Sequence, residues 1–445
     1  MKEETISIIG LGKLGLCMAA CLADKGYNVI GVDTNQPVVE AINSGRSPLY
    51  EPGLTELMGR VKGKFTATGD YKHAVDSSRI IFIFVGTPSE ADGSFSTRYV
   101  EEVSKEIATN LRDKDDFRLI VLRSTVLPGV TEGVVKPLLE EISGKKCGTD
   151  FGLCHNPEIL ALGSVIHDFL NPDVVIIGES DPRSGELLST VYQATCENNP
   201  PITRTTLYNA EMAKISLNVF LTTKMSFANT IAEICELIPG GDVDVISEIL
   251  GKDKRIGRKF LTGALAYGGP CFPRDTKAFS TFARQIRCQA KLTQATEEVN
   301  KHQSGRIVAL IKQKIGKVEG KTIAILGLTY KPDTDIVEES DAIKIASALL
   351  QERAKLRVYD PAGMGNARTV LGQENIKYAD SVEECLRDSE LCILATPWDE
   401  FKSLKPEDFT RNMKRPTILD CWRILRRPEF SDKLDYFAVG LNLSE

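Results

Sequence analysis

The chain has 445 residues, room for two or three domains, with 42% hydrophobic and 26% charged residues, the profile of a globular protein with ample core. The formal net charge is −6 and no long Lys/Arg tract stands out, which argues against a nucleic-acid or membrane-surface partner. No apolar run of about 18 residues occurs, so no membrane span is expected. The start MKEETISIIG is acidic and runs straight into a strand, with no visible signal peptide. The 11 cysteines form no CxxC pair. Neither a zinc site nor a disulfide framework is indicated, and reduced thiols in a cytoplasmic setting are expected. His73, His155, His167 and His302 do not cluster in sequence, so no metal site is expected.

Three segments separate by pattern. Residues 1–204 alternate β-branched runs with helical stretches: TISIIGLG, YNVIGVD, RIIFIFVGT, FRLIVLRST and PDVVIIGE read as buried strands. Strands alternating with helices predict a parallel, doubly wound sheet. Residues 205–308 lack comparable strand runs and open on one helical pattern from Tyr208 to Leu237, closed by Pro239-Gly240-Gly241. So long a helix suits a domain linker or a dimer interface. Residues 309–445 repeat the first pattern. Gly10, Asp33 and Thr87-Pro88 have counterparts in Gly327, Asp360 and Thr396-Pro397. The prediction is two doubly wound α/β domains joined by a helical domain, each outer domain suited to a nucleotide ligand.

Gly10-Leu-Gly12-Lys-Leu-Gly15 follows a strand and opens a helix, with Asp33 ending the next strand. The glycines permit a tight turn and close approach of backbone to a pyrophosphate, which the free N–H groups of the helix start then meet. Asp33 can accept from a ribose diol and would repel a 2′-phosphate, which favours NAD over NADP. The third segment lacks that fingerprint. Its Lys331 either neutralises a diphosphate or is simply solvated.

Gly268-Gly269-Pro-Cys271-Phe-Pro-Arg-Asp275 is the sharpest segment. Glycines before a cysteine let a ligand approach the thiol. A cysteine entering a helix can have its thiolate stabilised by the helix N–H groups. Asp275 follows one helical turn later. A buried, inert cysteine is the alternative. Arg123-Ser-Thr125 ends a strand, where ligands bind in doubly wound sheets, and His155-Asn156-Pro157-Glu158 follows the apolar FGLC. Lys214 and Asn218, spaced i, i+4, share a helix face. They could hold an oxyanion, or form a polar stripe on a partly exposed helix.

Together and in this order, these motifs resemble the UDP-glucose/GDP-mannose dehydrogenase family over nearly the whole chain. They include GLGKLGL, SPLYEPGL, VGTP, STVLPG, NPEIL, DFLNPD, AEMAKISLN, YGGPCFPRD and LGLTYKPDTD. The resemblance implies two Rossmann-like domains and a four-electron oxidation of a nucleotide-hexose alcohol to a carboxylate. It also implies NAD as cofactor and a homodimer or larger homo-oligomer. In the roles it implies, Cys271 is the nucleophile, Lys214 stabilises oxyanions, and Asp275 with Thr125 activates water. Glu158 serves thioester hydrolysis and Asn218 holds the sugar. It places Gly10, Gly12, Leu14, Gly15, Asp33, Thr87 and Thr125 at the cofactor. Glu158, Ile159, Leu160, Lys214, Asn218, Phe260, Leu261, Tyr267, Gly268, Lys331 and Arg423 fall at the sugar nucleotide, and Arg255 reaches a neighbouring subunit's site. Leu162 and Glu338 stand where the family usually has Glu and Arg, on its NAD side. Pro270 stands where Ser is usual, Arg274 where Lys is common, and DCWR where a DGRN-like run is usual. Another sugar nucleotide, such as GDP-mannose or TDP-glucose, or a catalytically silent binding protein, are the competing expectations.

Overall fold

A computed structural model describes residues 4–442. The first three residues of the acidic start lie outside them. The chain divides into two compact units between Leu217 and Asn218.

The first unit is built on β1 (Thr5–Ile9), β2 (Asn28–Val32), β3 (Phe65–Thr68), β4 (Ile80–Ile83), β5 (Arg118–Leu122), β6 (Phe151–His155), β7 (Val175–Glu179) and β8 (Ile202–Thr205). They form one sheet in the order β3-β2-β1-β4-β5-β6-β7-β8. Its central strands are apolar on both faces, as helices on both sides require. Ile6, Ile8, Ile80, Phe82, Leu119 and Val121 point into one core layer. Ile9, Ile81, Ile83, Ile120 and Leu122 point into the other. The sheet departs from the expected all-parallel arrangement at one pair, since β6 and β7 run antiparallel. The connection between them carries only the short helix Val165–Leu170. Val165 and Phe169 of that helix are buried in the core layer that holds Leu16 and Met18.

The second unit contains β9 (Thr322–Leu326), β10 (Lys355–Tyr359), β11 (Ile376–Tyr378), β12 (Leu391–Leu394), β13 (Thr417–Asp420) and β14 (Asp435–Ala438). Their order, β11-β10-β9-β12-β13-β14, repeats that of the first six strands. Helices Val243–Lys252, Phe272–Gln285 and Lys291–Ile315 precede this sheet. The last of them runs through the expected boundary at 308. Ala232, Cys235, Val243 and Leu265 share a core with Ile307, Ile311, Ile323 and Ile325. The helical segment after residue 217 therefore packs as part of the second unit, because its apolar faces are buried by that unit's sheet layer. The long helix, Leu207–Leu237, spans the division between the units.

Arg423, expected at the sugar nucleotide, is instead buried at the heart of the second unit. Its guanidinium pairs with both carboxylate oxygens of Asp244, at 2.7 and 3.0 Å. It also donates to the carbonyls of Thr262, Gly263 and Val439 at 2.7, 2.9 and 2.6 Å. A guanidinium has five N–H donors, and these contacts occupy them all. The turn after β13 is thereby fastened to the first turn of helix Val243–Lys252 and to the loop that follows it. Arg423→Ala should leave these acceptors unmatched and lower stability by about 3 kcal/mol. The shift of the urea midpoint measures the loss, and an unmoved midpoint would show that the clamp contributes nothing.

Candidate active site

The turn after β1 is shaped for a dinucleotide. Gly10 has φ +95°, and a methyl there would collide with the Phe84 carbonyl, while one at Gly15 would collide with the Gly10 carbonyl. Strand, turn and helix are thus in backbone contact. Around Gly12, by contrast, an added Cβ would meet nothing within 4 Å. Gly12 is also the N-cap of helix Lys13–Asp24, and no side chain caps that end. Open space beside uncapped N–H groups is what a pyrophosphate needs. A cavity of about 800 Å³ opens here, lined by Gly10, Gly12, Asp33, Tyr71, Tyr99 and Glu102 among others. Asp33 is partly exposed at its wall and accepts the Leu11 and Asn35 N–H groups at 2.9 and 2.8 Å. These residues fit an NAD. Leu14 packs against the core. The Thr87 hydroxyl donates to the Thr125 carbonyl at 2.7 Å, so Thr87 braces the loop after β5.

Lys214 and Glu158 are both buried and form an ion pair at 3.2 Å. The second oxygen of Glu158 accepts the Leu160 N–H at 3.1 Å. That bond turns the Asn156–Leu160 loop back on itself, leaving Ile159 exposed and Leu160 packed against the core. Thr125 is buried at the end of β5. Arg123, buried nearby, donates to Asn156 and Tyr192. His155 is fully buried with neither ring nitrogen hydrogen-bonded. Burial first, then the charges of Arg123 and Lys214, hold its pKa down at about 3. It is a neutral imidazole at any working pH, not a proton carrier.

In the second unit, Cys271 caps helix Phe272–Gln285 and is partly exposed. Asp275, one turn on, is buried. It accepts from Asn218 Nδ2 at 2.6 Å and pairs with Arg274 at 3.3 Å. The i, i+4 face of the long helix thus divides its labour: Lys214 holds Glu158 and Asn218 holds Asp275. The two glycines before Cys271 are also close against the chain itself. A methyl at Gly268 would collide with the Glu339 carbonyl, and one at Gly269, where φ is +80°, would lie 2.6 Å from the Tyr330 ring. The Gly269 N–H donates to the Glu338 carbonyl at 3.1 Å. Glu338 therefore holds the cysteine loop through its backbone. Phe272 sits edge-on to both Phe260 and Tyr267. Leu261 is buried. Arg255 is exposed and pairs with Asp253 at 2.6 Å. Lys331 is partly exposed in the loop after β9.

Two features escaped the sequence reading. Glu211 is buried and accepts the Gly129 and Thr131 N–H groups. Its signal was a carboxylate one turn before Lys214 on the same helix. Tyr99, Glu102, Val103 and Glu106 line the dinucleotide cavity. Their i, i+3, i+4, i+7 spacing marks one helix face. Among the described residues no cluster could hold a metal ion, and no helix is long and apolar enough to cross a membrane.

Comparison with known proteins agrees with this geometry. The UDP-glucose/GDP-mannose dehydrogenase family matches in three parts: its NAD binding domain over residues 4–196, its central domain over 208–302 and its UDP binding domain over 324–427. A UDP-glucose 6-dehydrogenase of Haloferax volcanii is 38% identical over 98% of this chain and 99% of its own. A GDP-mannose 6-dehydrogenase of Pseudomonas aeruginosa is 37% identical over 80% of each chain. The structure of a UDP-glucose dehydrogenase from Pyrobaculum islandicum superimposes with a TM-score of 0.90 at 34% identity, covering 99% of this chain and 98% of that one. The chain belongs to the UDP-glucose/GDP-mannose dehydrogenase family. It is an NAD-dependent oxidoreductase, and its substrate is a nucleotide sugar.

Asp33→Asn keeps one acceptor oxygen for the turn but loses the charge. It should weaken NAD roughly tenfold, the worth of one hydrogen bond to a charged group, and narrow the preference over NADP. The ratio of kcat/KM for the two cofactors, followed at 340 nm, tests this, and an unmoved ratio removes Asp33 from cofactor choice.

Proposed function

We propose that the chain oxidises the C6 primary alcohol of UDP-glucose to the carboxylate through a covalent adduct on Cys271. The observation that carries the reading is Cys271 at the head of a helix, with Asp275 held one turn away by Asn218. UDP-glucose is preferred over GDP-mannose because a solved UDP-glucose dehydrogenase superimposes with a TM-score of 0.90 and a GDP-mannose dehydrogenase with 0.55, each covering at least 98% of this chain.

Bound NAD supplies a hydride acceptor for each of the two oxidations. The protein's own groups do the rest. The first oxidation leaves an aldehyde at C6. The Cys271 thiolate adds to that carbon, and the alkoxide gains a proton to give a thiohemiacetal. In this tetrahedral form the C6 hydrogen can leave as hydride while the hydroxyl loses its proton and its oxygen forms the carbonyl. Its oxidation gives a thioester. Water adds to the thioester carbonyl, the C–S bond breaks, and the carboxylate leaves with the thiolate restored. Lys214 stabilises each developing oxyanion, Asp275 and Thr125 order the water, Asn218 holds the sugar, and Glu158 assists hydrolysis. Ile159, Leu160, Phe260, Leu261, Tyr267, Gly268 and Lys331 belong to the substrate surface in this reading.

The working form is proposed to be a homodimer in the cytoplasm. Phe220, Phe227 and Ile234 are exposed at heptad spacing on the long helix, and Val245 and Ile249 are exposed on the next. An apolar seam of this spacing suits a second helix. Arg255, exposed on the loop beyond, is proposed to reach the neighbouring subunit's site.

Cys271→Ser should abolish carboxylate formation while nucleotide-sugar binding persists, because a hydroxyl is a far weaker nucleophile than a thiolate. Steady wild-type turnover by that variant would rule out the covalent route. Alkylation offers a second check. Cys288 is exposed as well, so both thiols should react, but substrate should slow only Cys271.

Lys214→Ala and Glu158→Gln should fail differently. Losing an oxyanion donor typically costs on the order of 10²–10³ in rate, and for Lys214→Ala the loss should fall on hydride transfer as well as hydrolysis. Glu158→Gln should give an NADH burst, then slow turnover, with a Cys271-linked thioester visible by intact mass. Absence of both burst and adduct would place the role of Glu158 before the thioester.

A further inference from the structure

Glu211 is among the buried ionisable groups that the mechanism above does not use. Glu211 is fully buried on the long helix, one turn before Lys214. Its two oxygens accept the N–H groups of Gly129 and Thr131 at 2.6 and 2.7 Å. Burial pushes its carboxyl pKa up, against the pull of these donors. Gly129 has φ +99°, and its Cα surface lies so near Tyr208 that an added methyl would stand 3.0 Å from the ring. The segment after β5 is therefore seated on the first turns of the long helix at Tyr208 and Glu211. At the near end of the same segment, Thr87 holds the Thr125 carbonyl. One turn beyond Glu211, Lys214 holds Glu158 from the loop after β6.

We propose that Glu211 is a positioning residue for the reaction: it fixes the loop that carries Thr125 to the helix that carries Lys214, so that the two are set by one rigid contact. The inference rests on the reading that Thr125 and Lys214 serve the chemistry. Neutral acceptors would not match the carboxylate here. Two backbone N–H groups converge on two oxygens, and an amide in that place turns an NH₂ towards one of them. An Asp keeps the charge but is one methylene too short to meet both donors.

The experiment compares Glu211→Gln and Glu211→Asp in the full-length enzyme. Misplacement of a reacting group by about 1 Å costs on the order of 10²-fold in rate. Both variants should lose kcat on that scale, while the KM values for NAD and UDP-glucose move by less than about threefold. Rates are expressed per active site, counted by substrate-protectable alkylation of Cys271. Wild-type kcat in Glu211→Gln overturns the proposal. So does a lowered melting temperature with kcat per site unchanged, which is what a purely structural role gives. A full rate in Glu211→Asp with a lost rate in Glu211→Gln would show that the charge matters rather than the reach, and would also overturn it. Hydrogen exchange in the unmodified enzyme needs no variant to fold: the Gly129 and Thr131 amides should be protected, and solvent-like exchange at both ends the idea. Lys214→Ala, measured alongside, separates this inference from the reading beneath it. Full activity there removes both. Lost activity there with full activity in Glu211→Gln removes only the role of Glu211.

Discussion

The arrangement of the first unit turns on one buried ion pair, Lys214 with Glu158 at 3.2 Å. Taking two charges out of water costs more than their attraction commonly returns, and well-packed apolar residues often do as well. Stability alone is therefore a poor reason for such a pair. It is a strong constraint, however, because moving either partner strands the other. The register of the long helix against β6 is fixed by it. The Leu160 N–H on the second oxygen of Glu158 carries the same constraint into the loop. Glu211 repeats the device one turn earlier with opposite sign, on the loop after β5. A single helix thus holds the carboxyl ends of two adjacent strands, where doubly wound sheets place their chemistry.

The two units share a strand order, and they use the same acidic position in opposite ways. Asp33 spends one bond per oxygen on its own turn and stays partly exposed at the wall of a large cavity. Asp360, its counterpart after β10, is buried. One of its oxygens takes the Leu328 and Thr329 N–H groups, the Thr329 hydroxyl and the Trp398 indole. The other takes the Ala362 and Gly363 N–H groups. Nothing remains for a ribose diol. Gly327, like Gly10, leaves no room for a side chain, but its neighbour is Thr396 rather than a bare carbonyl. The second fold keeps the frame of a dinucleotide turn and closes its mouth, in keeping with a domain that takes a different nucleotide.

Much of this was legible in the sequence, for stated reasons. β1, β2, β4, β5 and β7 were found because each reads as a nearly unbroken apolar run, whereas β6 and β13, equally buried inside their sheets, were not singled out because FGLCH and TILD are short and carry a polar residue. β3, β8, β11 and β14 lie at or near sheet edges with sequences such as FTAT, ITRT, IKY and DYFA, whose polar residues break that signal. The long helix was read to within one residue, since Pro239 and Gly240 end it chemically. Cys271, Asp275, Lys214 and Asn218 were singled out by local spacing. What they touch was not legible: Asn218 and Asp275 are 57 positions apart, and no local rule joins them. Gly268 and Gly269 show the limit well. Their spacing suggests room for a ligand beside the thiol, and it does not reveal that the Tyr330–Glu339 loop of the same unit lies against them. Arg423 shows it again, because an arginine that fills all five donors internally looks in sequence like one that awaits a phosphate.

The same structure places the eleven thiols in different settings. Cys17, Cys21, Cys154, Cys385, Cys392 and Cys421 lie in the cores, where burial pushes their pKa values upward. A thiol kept protonated in an apolar core is a small hydrophobe, whatever its intrinsic nucleophilicity. Cys196 and Cys147 are raised too, by partial burial. Cys271 is partly exposed like Cys147 and Cys196, and Cys288 is exposed, but of these Cys271 stands at a helix start, where N–H groups have no earlier carbonyl to bind. Cys288 follows the end of that same helix, beyond the Ile286 C-cap, where the peptide dipoles present carbonyl oxygens and disfavour an anion. The two ends of one helix thus give Cys271 and Cys288 opposite electrostatic settings, the first favouring a thiolate and the second opposing one.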